Sequence, residues 1–328
     1  MATQIHKIRI GSRKSKLALV QTEWVKERIE KWEGERGERC ECEIVEMSTQ
    51  GDRILDTALS KIGDKGLFTK ELETALLEKS IDFAVHSLKD MPTKLPEGLT
   101  LGAISEREAV NDAVVFTSKH HLSGVKSLAE LPDKSCIGTS SLRRMAQLAH
   151  IYKGRDFTFK SVRGNVQTRL QKLNDYDNFG FDAIILAEAG LKRLQLHELI
   201  HSVLPCVDVL PAVGQGALTV ECRAGDQIIL DILRAAIHDP LTAACCTAER
   251  SFLATLQGGC QVPVGAYSSL SLDNRELTLR GMVASEDGEQ YFSHQVSGPI
   301  SDAFDLGASL AQELISQGAE SVLASIRH

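Results

Sequence analysis

The stretch Cys136-Ile137-Gly138-Thr139-Ser140-Ser141-Leu142-Arg143-Arg144-Met145-Ala146-Gln147-Leu148-Ala149 reads as a short apolar strand, a Gly/Ser/Thr turn and an amphipathic helix. Leu142, Met145, Ala146 and Ala149 fall at helical spacing and predict one inward face. The same order recurs elsewhere. Ile8-Arg9-Ile10 leads through Gly11-Ser12-Arg13-Lys14-Ser15 into a helix with Leu17, Val20, Trp24 and Arg28 at spacings of three and four. Residues 157–162 lead through Arg163-Gly164-Asn165 into a helix carrying Val166, Leu170 and Leu173. Two more apolar strands are expected at 81–85, running into His86-Ser87-Leu88-Lys89-Asp90-Met91-Pro92, and at 183–187. Strands alternating with helices of this length predict α/β units with largely parallel sheets. The repeated strand–Gly–Ser/Thr–Arg–helix openings predict two similar lobes with a cleft between them.

The last third differs. A helical stretch at 242–256 and the turn Gly258-Gly259-Cys260 precede an alternating segment, Leu277-Thr278-Leu279-Arg280-Gly281-Met282-Val283. A final helix is expected to carry Phe304, Ala308, Ala311 and Ile315. This predicts a small α+β unit with an antiparallel sheet.

With 328 residues, 43% of them hydrophobic and 25% charged, the chain can bury more than one core. The formal net charge of -7 and the lack of any long Lys/Arg run argue against a nucleic-acid partner. No apolar run reaches the roughly 18–20 residues that span a bilayer, so no membrane partner is expected. The N-terminal residues show neither a signal-peptide h-region nor an Arg/Ser-rich transit segment, and the eight cysteines form no CxxC pair. A cytoplasmic protein with reduced thiols is the expectation. No His/Cys/Asp/Glu set has metal-ligand spacing, and no metal is expected.

Basic residues gather at the turns that follow strands: Arg13, Lys14, Arg143, Arg144, Arg163, Arg169 and Arg193. In open α/β sheets such turns line the ligand crevice. Ser12, Ser15, Thr139, Ser140 and Ser141 stand where helix N-termini begin, and free N–H groups there favour anions. Taken singly, each arginine reads as a solvated helix start; taken as a set at equivalent turns, they point to a polyanionic ligand. A guanidinium fork suits carboxylate or phosphate, and composition does not choose between them. GxxxxGK[ST] and strand-linked GxGxxG are absent, which counts against a nucleotide. Asp90 beside Lys89 could serve as acid and base or stabilise a cation, although position alone reads as a turn or cap aspartate. Cys260 on its Gly-rich turn could be exposed and reactive, whereas the other cysteines read as packing. Lys61 and Lys65, around the turn Gly63-Asp64-Lys65-Gly66, are expected in a mobile surface loop that either faces solvent or closes on a ligand.

Taken in order, these stretches resemble the hydroxymethylbilane synthases (porphobilinogen deaminases) over nearly the whole chain. The resemblance rests on GSRKSKLA at 11–18, KIGDKGLFTKEL at 61–72, VHSLKDMP at 85–92, GTSSLRR at 138–144, RGNVQTRL at 163–170, AEAGLKRL at 187–194, PAVGQGA at 211–217 and GGCQVP at 258–263. It implies two periplasmic-binding-protein-like α/β lobes, 1–108 with 212–237 and 109–211, a smaller C-terminal α+β domain at 238–328, and a monomer. It implies stepwise condensation of four porphobilinogen molecules into a linear tetrapyrrole with loss of ammonia. It also implies a dipyrromethane cofactor joined by a thioether to Cys260. By resemblance Asp90 is the catalytic carboxylate, and Lys89, Asp90, Thr139, Ser140, Ser141, Arg143, Arg144 and Gln215 are expected at the cofactor. Arg13, Ser15, Lys61, Lys65, Phe68, Arg163, Arg169 and Arg193 are expected at the substrate. Asp64 stands where many relatives carry Gly. A non-catalytic anion-binding module would need the arginines but neither Asp90 nor Cys260; a phosphoryl-transfer enzyme would need a nucleotide loop or metal carboxylates.

Overall fold

The computed structural model describes residues 5–36, 39–53, 67–257 and 262–327. Its strands in chain order are β1 (Ile5–Arg13), β2 (Arg39–Met47), β3 (Phe83–Ser87), β4 (Leu99–Ile104), β5 (Asp112–Phe116), β6 (Cys136–Gly138), β7 (Thr158–Lys160), β8 (Ala183–Ala187), β9 (Ser202–Leu204), β10 (Leu218–Arg223), β11 (Val264–Leu270), β12 (Glu276–Ala284) and β13 (Tyr291–Pro299). The principal helices are α1 (Lys16–Glu35), α2 (Lys70–Leu77), α3 (Leu142–Ile151), α4 (Val166–Asn174), α5 (Glu188–Arg193), α6 (Gln227–Ala236), α7 (Pro240–Thr255), α8 (Ala303–Leu314) and α9 (Glu320–Arg327).

Three sheets result, with strand orders β2-β1-β3-β10-β4, β7-β6-β8-β5-β9 and β11-β12-β13. The described residues within 1–54, 65–108 and 216–243 form one compact unit, and those within 109–215 and 244–328 the other. The first two sheets share one pattern. In the first, β1 pairs parallel with β2 and β3, and β10 lies antiparallel between β3 and β4. In the second, β6 pairs parallel with β7 and β8, and β5 lies antiparallel between β8 and β9. The third sheet is wholly antiparallel. Two α/β lobes and a smaller α+β region are therefore present.

Apolar burial explains the layers. Ile8, Ile10, Val25, Ile29, Phe83, Val85, Val220 and Leu233 close one face of the first sheet beneath α1 and α6. Leu72, Leu76, Ile81 and Ala84 close the other beneath α2. In the second sheet Val114, Phe116 and Ile185 face one way, and Val115, Ile184 and Leu186 the other, as period-2 alternation requires. Burying each such side chain contributes about 1.5–3 kcal/mol. In the third core Phe252 of α7 meets Leu279, Leu310 and Leu314. Gly307 lets α8 approach α7 closely, since a Cβ there would run into the Ala248 carbonyl.

Some expectations shift. Residues 11–13, read as a turn, continue β1, because Gly11, Ser12 and Arg13 pair with Val45, Glu46 and Met47. The inward stripe of α1 is Ala18, Gln21, Thr22, Val25, Ile29 and Glu33, displaced from the expected Leu17, Val20, Trp24 and Arg28. In α3 the buried residues are Arg143, Arg144, Ala146, Gln147 and Leu148. Of the expected face only Ala146 is buried. The helix expected to be final, α8, is followed by α9; it buries Ala303, Gly307, Leu310, Ala311 and Leu314, while Phe304 is exposed.

Candidate active site

Parallel strands end on one edge of their sheet, so the turns that follow them share that edge. In the first lobe this brings the end of β1 (Arg13) and the turn after β3 to the same side. Ser15 caps α1, its side chain accepting from the Ala18 N–H at 3.3 Å. The Arg13 guanidinium lies over the Phe68 ring, 4.3 Å from its centroid, joining two of the expected substrate residues by a cation–π contact. Gly51 packs against that same ring, where a Cβ would collide with it.

β3 is buried from Phe83 to His86, and a single 3₁₀ turn, Leu88–Asp90, follows it. Leu88 is buried and its N–H donates to the Ala217 carbonyl at 3.0 Å, which anchors the turn. Lys89 is half-buried, and Asp90 is exposed. A rigid strand thus presents a solvent-facing carboxylate on an anchored turn. On the α2 side of the strand lies a buried polar group. His86 Nε2 approaches Glu221 Oε2 of β10 at 3.1 Å. The approach is close but not aligned, since His86 Nε2 and both Glu221 oxygens make no hydrogen bond. Glu73 of α2 faces the same group; burial above all, then Glu221, push its carboxyl upward against Thr69 and His86.

In the second lobe the segments after β6, β7 and β8 carry Thr139, Ser140, Ser141, Arg143, Arg144, Arg163, Arg169 and Arg193, and Gln215 follows β9. Ser140 Oγ donates to the Val162 carbonyl at 2.8 Å and lies 2.8 Å from Ser161 Oγ, which binds the 139–141 turn to the Arg163 turn. The Thr139 N–H donates to the Lys160 carbonyl, and Thr139 Oγ1 accepts from the Ser141 N–H. Ser141 caps α3 and Asn165 caps α4, accepting from Arg144 N and Thr168 N at 3.4 and 2.9 Å. Gly164 supplies a φ of +110°, which an L side chain rarely adopts. The Arg169 Nε donates to the Gly164 carbonyl at 2.8 Å. Arg163 is half-buried, and burial lowers its pKa. Arg193 ends α5, also half-buried.

Arg143 and Arg144 point inward, 5% and 6% exposed, toward Asp112 at the head of β5. Arg143 Nη1 donates to Asp112 Oδ2 at 2.9 Å and to the Leu210 carbonyl at 2.6 Å. Arg144 donates through Nη2 to Asp112 Oδ1 at 2.7 Å and through Nη1 to the Ile185 carbonyl at 2.9 Å. Gln215 Nε2 reaches Asp112 Oδ1 at 2.9 Å and the Val110 carbonyl at 2.7 Å. Burial alone would raise the Asp112 carboxyl. The charges of Arg143 and Arg144 and their hydrogen bonds outweigh it and hold the group well below the usual carboxylate range. Sequence reasoning passed over Asp112. Its signal was one charge opening the all-buried run Ala113-Val114-Val115-Phe116, where an ionised group needs a partner.

Arg144 Nε is buried and makes no hydrogen bond. A donor so placed, on a fork beside serine-capped helix starts, fits the carboxylate side chains of dipyrromethane. Cys260, Lys61, Lys65 and Asp64 lie outside the described residues. Among the described residues no group of three or more His, Cys, Asp or Glu is placed to hold a metal ion. No helix among them is long and apolar enough to cross a membrane.

Arginine-bearing turns at the strand ends of each lobe, and an exposed carboxylate at one strand end of the first, suit anionic ligands. The comparisons make the class specific. Residues 8–231 match the family description "Porphobilinogen deaminase, dipyromethane cofactor binding domain", and 243–316 match "Porphobilinogen deaminase, C-terminal domain". The chain is 53% identical over 319 residues to the porphobilinogen deaminase of Synechococcus elongatus, covering 97% of this chain and 95% of that one. It is 52% identical over 317 residues to that of Gloeobacter violaceus, covering 97% and 93%. A YaeC-family lipoprotein from Enterococcus faecalis aligns at 14% identity over 71% of this chain and 91% of that one, with a TM-score of 0.40. The chain belongs to the porphobilinogen deaminase family, the hydroxymethylbilane synthases of tetrapyrrole biosynthesis, which are transferases with a dipyrromethane cofactor.

Proposed function

We propose that this chain condenses four porphobilinogen molecules head to tail into hydroxymethylbilane, releasing ammonia, as a cytoplasmic monomer. In this reading 1–108 with 212–237 and 109–211 are the two lobes, and 238–328 carries the cofactor cysteine. The observation that carries the reading is Asp90, an exposed carboxylate on an anchored turn after a buried strand. Asp90 lends a proton to the substrate's aminomethyl nitrogen so that ammonia leaves. Its charge then stabilises the cationic pyrrole left behind, and it accepts the proton displaced when the new carbon–carbon bond forms. Dipyrromethane, bound through Cys260, supplies the ring carbon at which the chain is primed. Lys89, Thr139, Ser140, Ser141, Arg143 and Arg144 would orient its acetates and propionates, with Gln215 behind them on Asp112. Arg13, Ser15, Lys61, Lys65, Phe68, Arg163, Arg169 and Arg193 hold the incoming and growing pyrroles, and the planar forks fix their register.

Intact mass tests the reading. Wild-type protein is expected to exceed its chain mass by two porphobilinogen units less two ammonias, and Cys260→Ala to weigh the bare chain. A wild type that stays bare even after incubation with porphobilinogen would favour an anion-binding module. Asp90→Asn is expected to keep that excess mass and lose most turnover; normal turnover would remove Asp90 from the chemistry.

A further inference from the structure

Two guanidinium groups this deeply buried repel one another and lose their hydration, and burial, opposed by Asp112, lowers the pKa of Arg143. One fully buried carboxylate answers both. It takes Arg143 on Oδ2 at 2.9 Å and Arg144 on Oδ1 at 2.7 Å, with Gln215 as a third donor at 2.9 Å. The Ile185 carbonyl takes the other terminal nitrogen of Arg144, and the Leu210 carbonyl shares Arg143 Nη1 with Asp112. The pair therefore keeps one net positive charge, and the Arg144 Nε–H stays unspent. We infer that Asp112 is a positioning residue that acts through Arg143 and Arg144: it fixes their orientation toward a carboxylate ligand and leaves charge for one carboxylate there. Gln215 acts one step further out, holding Asp112 to the strand that bears it. The inference rests on the proposed dipyrromethane reading.

The test is a double-mutant cycle on loading. Apo-protein from a host unable to make porphobilinogen is incubated with porphobilinogen, and the rate of mass gain is normalised to the folded fraction. Asp112→Asn and Arg144→Lys are each expected to slow loading about tenfold or more, the loss of one charge-assisted hydrogen bond. The double variant is expected to be little slower than either single one, because both remove the same oriented contact. Additive losses, or Asp112→Asn loading at the wild-type rate, would mean that Asp112 only supports the fold and would overturn the inference. If Asp112→Asn does not fold, Gln215→Met replaces it in the cycle, with a smaller loss and the same non-additivity expected. Wild-type protein that gains no mass would overturn the dipyrromethane reading and this inference together. A wild type that loads beside an Asp112→Asn that loads equally would overturn this inference alone.

Discussion

Each of the two α/β sheets admits one antiparallel strand, and each of those strands buries a carboxylate. Asp112 on β5 meets two guanidinium forks and an amide, all at hydrogen-bonding distance. Glu221 on β10 meets one imidazole at a poor angle, and Glu73 lies close by. Both carboxylates are 0% exposed. The contrast shows that burying a charge is a question of what surrounds it, since the same desolvation is offset in one lobe and left largely standing in the other. The satisfied group behaves as scaffold for its neighbours. The other has no hydrogen bond to hold its neighbours in place.

The sharpest way to break this contrast is to delete each carboxylate. Asp112→Ala strands two buried cations and is expected to cost about 3–5 kcal/mol, read from the urea unfolding midpoint. Glu221→Gln keeps the shape and removes a poorly matched charge, so its effect is expected to stay within about 1 kcal/mol and to be of either sign. Equal costs would erase the distinction. Titration across the acid range separates the lobes further. Asp112 has a depressed folded-state pKa, so its contribution is complete above the ordinary aspartate value of about 4 and fades as pH falls below it. Glu73 has a raised one, so stability falls as pH climbs from the ordinary glutamate value toward the raised value. Glu73→Gln is therefore expected to flatten the fall in thermal stability that begins above the ordinary glutamate value of about 4.3, and to leave the loss below that value unchanged; a steeper fall above it would refute the assignment. The smallest effects lie at the helix caps of the second lobe. Asn165→Ala is expected to cost about 1 kcal/mol, and Ser141→Ala less, in keeping with bonds of 2.9 and 3.4 Å. Thermal melts of both variants check the order.

How far the sequence could be read depends on which force governs each segment. β8 and β12 were legible because apolar alternation and apolar runs dominate them. The inward face of α3 was not, because periodicity assumes that what is buried is apolar. Arg143, Arg144 and Gln147 lie inside since Asp112 and the Leu210 backbone bind them. That makes half-exposed positions of Leu142, Met145 and Ala149, which sequence reasoning had turned inward. Asp90 and Lys89 could be placed at a strand end, but their distinction from ordinary turn residues came from the motif around them. Asp112 stayed hidden because its partners lie far along the chain, 31, 32 and 103 residues away. No local spacing encodes such a contact.

The position of β10 bears on how the chain folds as it is made. Residues 218–223 fill the gap between β3 and β4, both of which leave the ribosome more than a hundred residues earlier. Until then β3 and β4 each keep an open edge, the kind of edge at which chains pair wrongly. The second sheet has no such delay, because all its strands lie within 112–204. The lobe encoded second can therefore be complete while the lobe encoded first still waits for its missing strand.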